Sequence, residues 1–399
     1  MAESGRARVP RGLKEDGPAI WSYGFRPFLL GGAVWAVAAM ALWIAALASG
    51  LPVGGAFGAP LWHAHEMVFG FAPAVMAGFL LTAIPNWTGG LPVSGRPLIG
   101  IFGLWVAGRV AMALSGWTGQ LAASVLDALF LPAFLALAGR EIAAGRKWSD
   151  LKVLAAVAAV MAGNLGFHIA AATGGDPSLW LRAGVAGYVA LVMVIGGRLI
   201  PSYTRNWMAQ RKLLPLPVPY RRFDAGVIIF SAATLAGWVF APDGRLSGVA
   251  AVVAAALNGA RLARWSGLAT WPEKLLFVLH VAYAFVPLGF AAIAAATAGL
   301  ILPNAALHVL TVGVIGGTML SVMARVTRAQ IGMAPTASAA TIAACASLFA
   351  AALARPLADL TGAFWLTESA GALWILGFGL FVAEYGGPLL FRRRPPRGS

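Results

Sequence analysis

An all-α polytopic membrane protein of about twelve transmembrane helices is predicted by three features of the sequence. Of its 399 residues, 60% are hydrophobic and only 11% charged, and the mean hydropathy of +0.80 is far above that of a soluble domain. The apolar residues gather into runs of about eighteen or more, the length that carries a helix across the hydrocarbon core. Lys and Arg recur in alternate connections between these runs, as expected because basic loops resist translocation.

The runs fall near 28–48, 62–84, 98–115, 120–138, 152–172, 181–201, 224–241, 246–263, 274–297, 304–324, 335–354 and 364–385. The first follows a basic segment, as a signal peptide would, but at about twenty residues it is too long for the usual signal core and reads as an uncleaved first span. One set of connections holds Arg96, then Arg140, Arg146, Lys147 and Lys152, then Arg205, Arg211, Lys212, Arg221 and Arg222, then Arg264 and Lys274, then Arg325 and Arg328. The opposite set holds only Arg245 and Arg355. This alternation predicts that both termini are cytoplasmic. Residues 1–22 read as a mobile basic arm, 23–390 as a single twelve-span domain and 391–399 as a basic tail. Pro215, Pro217 and Pro219 make the connection 205–223 an extended linker between two groups of six spans.

Two function classes are excluded early. The single cysteine, Cys345, rules out a disulfide framework or a Cys-x-x-Cys site within one chain. The net charge of +15 is spread over short clusters between spans, which is topology rather than a nucleic-acid face.

A weak internal repeat is visible. Span six reads Tyr188-x5-Val-Ile-Gly-Gly ending at Gly197, with Arg205 eight residues on; span ten reads His308-x5-Val-Ile-Gly-Gly ending at Gly317, with Arg325 eight residues on. In span two His65 precedes Gly70 by the same interval that separates His308 from Gly313. Twelve spans would then be three sets of four, although small residues also recur at helix contacts in any membrane bundle.

Four of the five histidines fall at the outer ends of their spans: His63 and His65 in span two, His168 in span five and His308 in span ten. His280 lies nearer the cytoplasmic end of span nine. Singly, each reads as a buried histidine bonded to a neighbouring helix. Convergence at one depth points instead to ligation of metal or haem. All five are candidate metal ligands, His280 the weakest. Residues two apart on a helix point about 200° apart, so His63 and His65 serve two sites on opposite faces of span two. His65 and His308, matched in the repeat, form the expected axial haem pair. His63 and His168 are left for copper, with Met67 or Met161 as soft ligands.

Arg109 and Arg182 are the expected partners of haem propionates, Arg182 being equally well explained by snorkelling. Glu66 and Asp127 are the candidates for proton delivery or for orienting a ligand histidine. Tryptophans near span ends, among them Trp62, Trp87, Trp180, Trp207 and Trp365, read as interfacial anchors.

These motifs resemble the NnrS family along most of the chain. The matching stretches are Gly24-Phe25-Arg26-Pro27-Phe28, His63-Ala64-His65-Glu66-Met67 through Gly89, Gly197-Arg198 through Pro201 to Thr204-Arg205-Asn206, and His308 through Thr311 and Gly313 to Met323-x-Arg325. The resemblance implies a bacterial inner-membrane protein containing haem, of b type, and copper. It further implies binding or processing of nitric oxide or a similar small gas, in denitrification and protection from nitrosative stress, and no particular reaction or electron donor. The chain departs from the family pattern at Ala329-Gln330-Ile331-Gly332-Met333, where a histidine often stands in place of Gln330, so a ligand or anion contact at that position is expected to be missing. The three-by-four arrangement also looks like the catalytic subunit of haem–copper oxidases, a likeness of fold only. A haem or copper insertion or storage factor would show the same ligands, and twelve spans with Gly- and Pro-interrupted helices also suit a solute transporter.

Overall fold

The computed structural model describes residues 17–392, and every regular element within them is helical. Among the described residues, twelve helices are long and apolar enough to cross a membrane. In chain order these spans are Phe25–Ser49, Ala59–Thr88, Arg96–Ala113, Gln120–Ala144, Trp148–Ala172, Ser178–Gln210, Arg222–Phe240, Arg245–Ala263, Lys274–Thr297, Pro303–Gln330, Ala339–Thr361 and Phe364–Leu390. The expected all-helical, twelve-span architecture is therefore present. Hydrocarbon offers no water to the backbone, so each span must close its own hydrogen bonds. Its outer surface can stay apolar, as at Ile169, Ile229, Leu246 and Val249.

An even number of spans leaves both ends of the described chain on one side, the termini side. Arg26, at the head of span one, donates from Nη1 to the Pro388 and Leu389 carbonyls at 2.9 and 3.0 Å. It thereby satisfies carbonyls that the end of span twelve leaves open. Spans one and twelve pack together and close the bundle. Spans two, six, nine and ten are the most buried. Two, six and ten, the second of each expected set of four, touch one another along the axis.

Local irregularities have local causes. Pro132 has no N–H to give the Ala128 carbonyl, and span four is interrupted at Leu129 between Gln120–Ala128 and Phe130–Ala144. Span six runs on as helix to Gln210, so the linker expected over 205–223 shrinks to 211–221 and Arg205 is helical. Of the expected N-terminal arm, Ala19–Trp21 forms a short 3₁₀ turn, with Trp21 edge-on to Phe102 of span three. Residues 1–16 of that arm, and the tail beyond residue 392, lie outside the described residues.

Candidate metal and cofactor sites on span two

Spans two and ten share a feature that hydropathy cannot reveal. Each winds as π-helix for about a turn, over Glu66–Phe71 and Val309–Gly316. Each π segment starts one residue after a histidine, His65 or His308. The wider i→i+5 winding releases carbonyls from the helix and often marks functional positions. Here Trp105 Nε1–H donates to the Gly70 carbonyl at 2.9 Å.

On one face of span two lies a buried polar cluster. His65 Nδ1 is 3.1 Å from Glu66 Oε1; its Nε2 is 3.2 Å from Asp127 Oδ2 and 3.1 Å from Asn164 Oδ1. His168 Nε2–H donates to the same Asp127 oxygen at 2.8 Å, and Asn164 Nδ2 does so at 3.0 Å. Arg109 bridges Glu66 Oε2 and Asp127 Oδ1, and Trp35 Nε1–H donates to Glu66 Oε2 at 2.7 Å. All of these except Trp35 are buried. Ligand atoms of His65, Asp127 and His168 lie within 4.8 Å of one another, as a metal site requires.

The charges explain why an ion suits this place. One guanidinium stands against two carboxylates, so one more positive charge balances the set in a medium that tolerates no excess. Both nitrogens of His65 face only acceptors. With Nδ1–H given to Glu66, Nε2 needs either a second proton or a metal ion. A carboxylate that fixes the ring through the far nitrogen is the usual support of a metal-bound histidine.

Gly70 makes room for this cluster. A methyl group there would overlap Arg109 Nη1 and Glu66 Oε2. Gly→Ala in a helix ordinarily stabilises by about 0.5–1 kcal/mol, but overpacking costs about 1–3 kcal/mol. Gly70→Ala is therefore expected to lower the melting temperature of detergent-purified protein, whereas Gly100→Ala, where the added carbon meets nothing within 4 Å, should not.

The other face of span two opens on a cavity of about 470 Å³, within the range of cofactor pockets. His63, Met67 and Phe71, spaced four apart, line it from span two, and His308 and Thr311 from span ten. Trp43 stacks on the His63 ring with centroids 4.5 Å apart and planes 10° apart. His63 Nδ1 is buried and has no hydrogen-bond partner among the described residues. His308 Nδ1–H donates to the Asn304 carbonyl at 2.8 Å, which leaves Nε2 as the free ligand atom. Arg355 also lines the cavity, held to Asp359 at 2.6 Å.

The residues expected to form the sites are thus present but paired differently. His63 and His65 do face apart, yet His65 meets His168 of span five and His63 shares its cavity with His308 of span ten. The expected axial pair His65–His308 and the expected copper pair His63–His168 are not brought together. Helix phase decides this: the stripe 63, 67, 71 looks toward span ten, and His65 with Phe69 looks toward Phe167 and His168.

The remaining candidates sort as clearly. Arg109 is the bridge of the polar cluster rather than a propionate partner. Arg182 donates to the Val239 carbonyl from Nε at 3.3 Å and Nη2 at 3.2 Å, tending an open helix end. His280 has both nitrogens engaged, Nδ1–H with the Leu276 carbonyl at 3.1 Å and Nε2 with the Thr204 hydroxyl at 3.2 Å. It reads as a structural histidine and not a ligand. Met67 lines the cavity and Met161 packs against the apolar core, so neither supplies a thioether to the cluster.

Three participants were not anticipated. Asn164 sits one turn before His168 on the same face of span five, a spacing that could have drawn attention to it. Trp35 is a tryptophan in mid-span, away from the interfaces where the others were placed. Arg355 was one of only two basic residues breaking the charge alternation, and that exception was its signal.

The geometry can be set beside known proteins. The family model described as NnrS protein matches residues 19–394. None of the curated proteins compared matches the chain.

Proposed function

The chain belongs to the NnrS family, and from that premise we propose a haem–copper protein of the bacterial inner membrane with both termini in the cytoplasm. It binds or processes nitric oxide and so protects the cell from nitrosative stress. The observation that carries the reading is the two-sided layout of span two, an imidazole-lined cavity on one face and a buried His–Asp–His cluster on the other.

The cavity residues fit a b-type haem. Two imidazoles come from different spans, most of the lining is apolar, and Arg355, held to Asp359 through Nη1, keeps other N–H donors for a propionate. When bound, the haem supplies an iron that coordinates diatomic gases. Trp43 fixes the plane of His63, and the Asn304 carbonyl fixes the tautomer of His308. Phe71 and Trp374 keep water from the inner wall. Nitric oxide is small and apolar, so it reaches such a site through the lipid.

The cluster residues fit an ion that accepts imidazole and carboxylate, as copper(II) does. Glu66 orients His65, and Asn164 and Arg109 orient Asp127. His168→Ala is expected to lower bound copper at least tenfold, measured by elemental analysis, and to leave haem content unchanged.

The test of the function is an absorption spectrum and metal analysis of detergent-purified protein, followed by nitric oxide added to the reduced form. A Soret band that shifts supports the reading; an unshifted band counts against a nitric oxide site. His308 is half-exposed and Asn304 exposed at the cavity mouth, which favours one second reading, haem insertion or storage. That role predicts rapid loss of haem to apomyoglobin.

A further inference from the structure

A second cavity, of about 350 Å³, lies at the termini side of the same three central spans. Its lining includes Asn86 and Trp87 of span two, Tyr203 of span six, and Arg325 and Gln330 of span ten. Nothing in the proposed haem and copper chemistry uses it.

Arg325 sets its character. The guanidinium carbon lies 4.1 Å from the Tyr203 ring centroid, a cation–π contact that holds the group over the ring. The buried arginines of this side have their partners, Arg328 with Glu384 at 3.1 Å, Arg261 with Asp224 at 3.1 Å and Arg26 with the Pro388 and Leu389 carbonyls. Among the described residues, no carboxylate lies within 4.0 Å of Arg325. Glu273, at the head of span nine, acts on it only from beyond that distance. A half-buried guanidinium without a carboxylate, facing a hollow of ligand size, is the arrangement that receives an oxyanion.

We propose that this cavity is a binding site for a phosphate-type oxyanion, held by Arg325 on its Tyr203 platform. Trp87 and Trp207, at the ends of spans two and six, place it at the membrane boundary. The anion therefore comes either from an anionic lipid headgroup or from soluble phosphate. Because spans two and ten also carry His63 and His308 of the opposite cavity, an anion here braces the far end of the helices that hold them.

The test uses full-length, delipidated protein in detergent. One arm titrates inorganic phosphate by calorimetry against chloride at equal ionic strength. The other adds phosphatidylglycerol or phosphatidylcholine and counts retained lipid by native mass spectrometry. The wild type should bind in at least one arm, with phosphatidylglycerol preferred in the second. Arg325→Gln should weaken binding at least tenfold, and Arg325→Lys less. Binding in the phosphate arm assigns a soluble ligand, and binding in the lipid arm alone assigns a headgroup. Tyr203→Leu, which removes the platform and keeps the charge, should weaken binding several-fold and serves if Arg325→Gln fails to fold. No binding by the wild type in either arm, or equal binding by wild type and Arg325→Gln, overturns the proposal.

Discussion

His308→Ala is expected to strip the purified protein of at least nine-tenths of its haem, while its copper content stays at the wild-type level. His308 presents Nε2 from span ten to a cavity whose other imidazole, His63, comes from span two. Removing either leaves a hollow closed only by weak apolar contacts and one arginine. External imidazole should restore part of the Soret band, because the space vacated by the ring admits it, and a misfolded variant would not respond. A variant that keeps its band without imidazole would remove His308 from the ligand set.

The second large effect is expected at Arg109. Taking one partner from a buried ion pair costs about 3–5 kcal/mol, because the charge left behind stays desolvated and unmatched. Arg109 answers two buried carboxylates, Glu66 and Asp127, so Arg109→Ala leaves both. The variant should express poorly and melt well below the wild type in detergent. Asp127→Asn, combined with Arg109→Ala, should recover part of the loss by removing one of the stranded charges. If Arg109→Ala melts like the wild type, the guanidinium is not the counter-charge of the cluster.

The architecture was legible because lipid imposes it. Twelve apolar runs and the charge alternation mark the spans, and the helices observed at Gln120–Ala144 and Lys274–Thr297 begin where those runs begin. The depth of the histidines was legible for the same reason, since residue count along a helix is distance across the membrane. Azimuth was not. Which neighbour His65 meets depends on how spans two, five and ten pack, and the repeat suggested the wrong partner. His65 and His308 hold the same place in their spans, each just before a π segment, yet they face different places, the polar cluster and the cavity.

The π segments themselves are written only in backbone hydrogen bonding. Each extra residue turns everything after it by about 100° relative to an ideal helix, so faces drawn from a 3.6-residue period lose phase there. Arg355 was legible as an exception to a rule, and Asn164 as an i, i+4 neighbour of His168. Neither stands out by residue type alone. The roles of His280 and Arg182 were settled by partners, Thr204 and the Val239 carbonyl, that no local pattern indicates.

The most direct test of the two-sided account of span two is a parallel measurement of haem and copper per chain in His63→Ala and His65→Ala. These residues are two apart, and the account gives each to a different site. His63→Ala should lose haem and keep copper; His65→Ala should lose copper and keep haem. If both variants lose the same component, or each loses the other's, span two does not divide the sites as described.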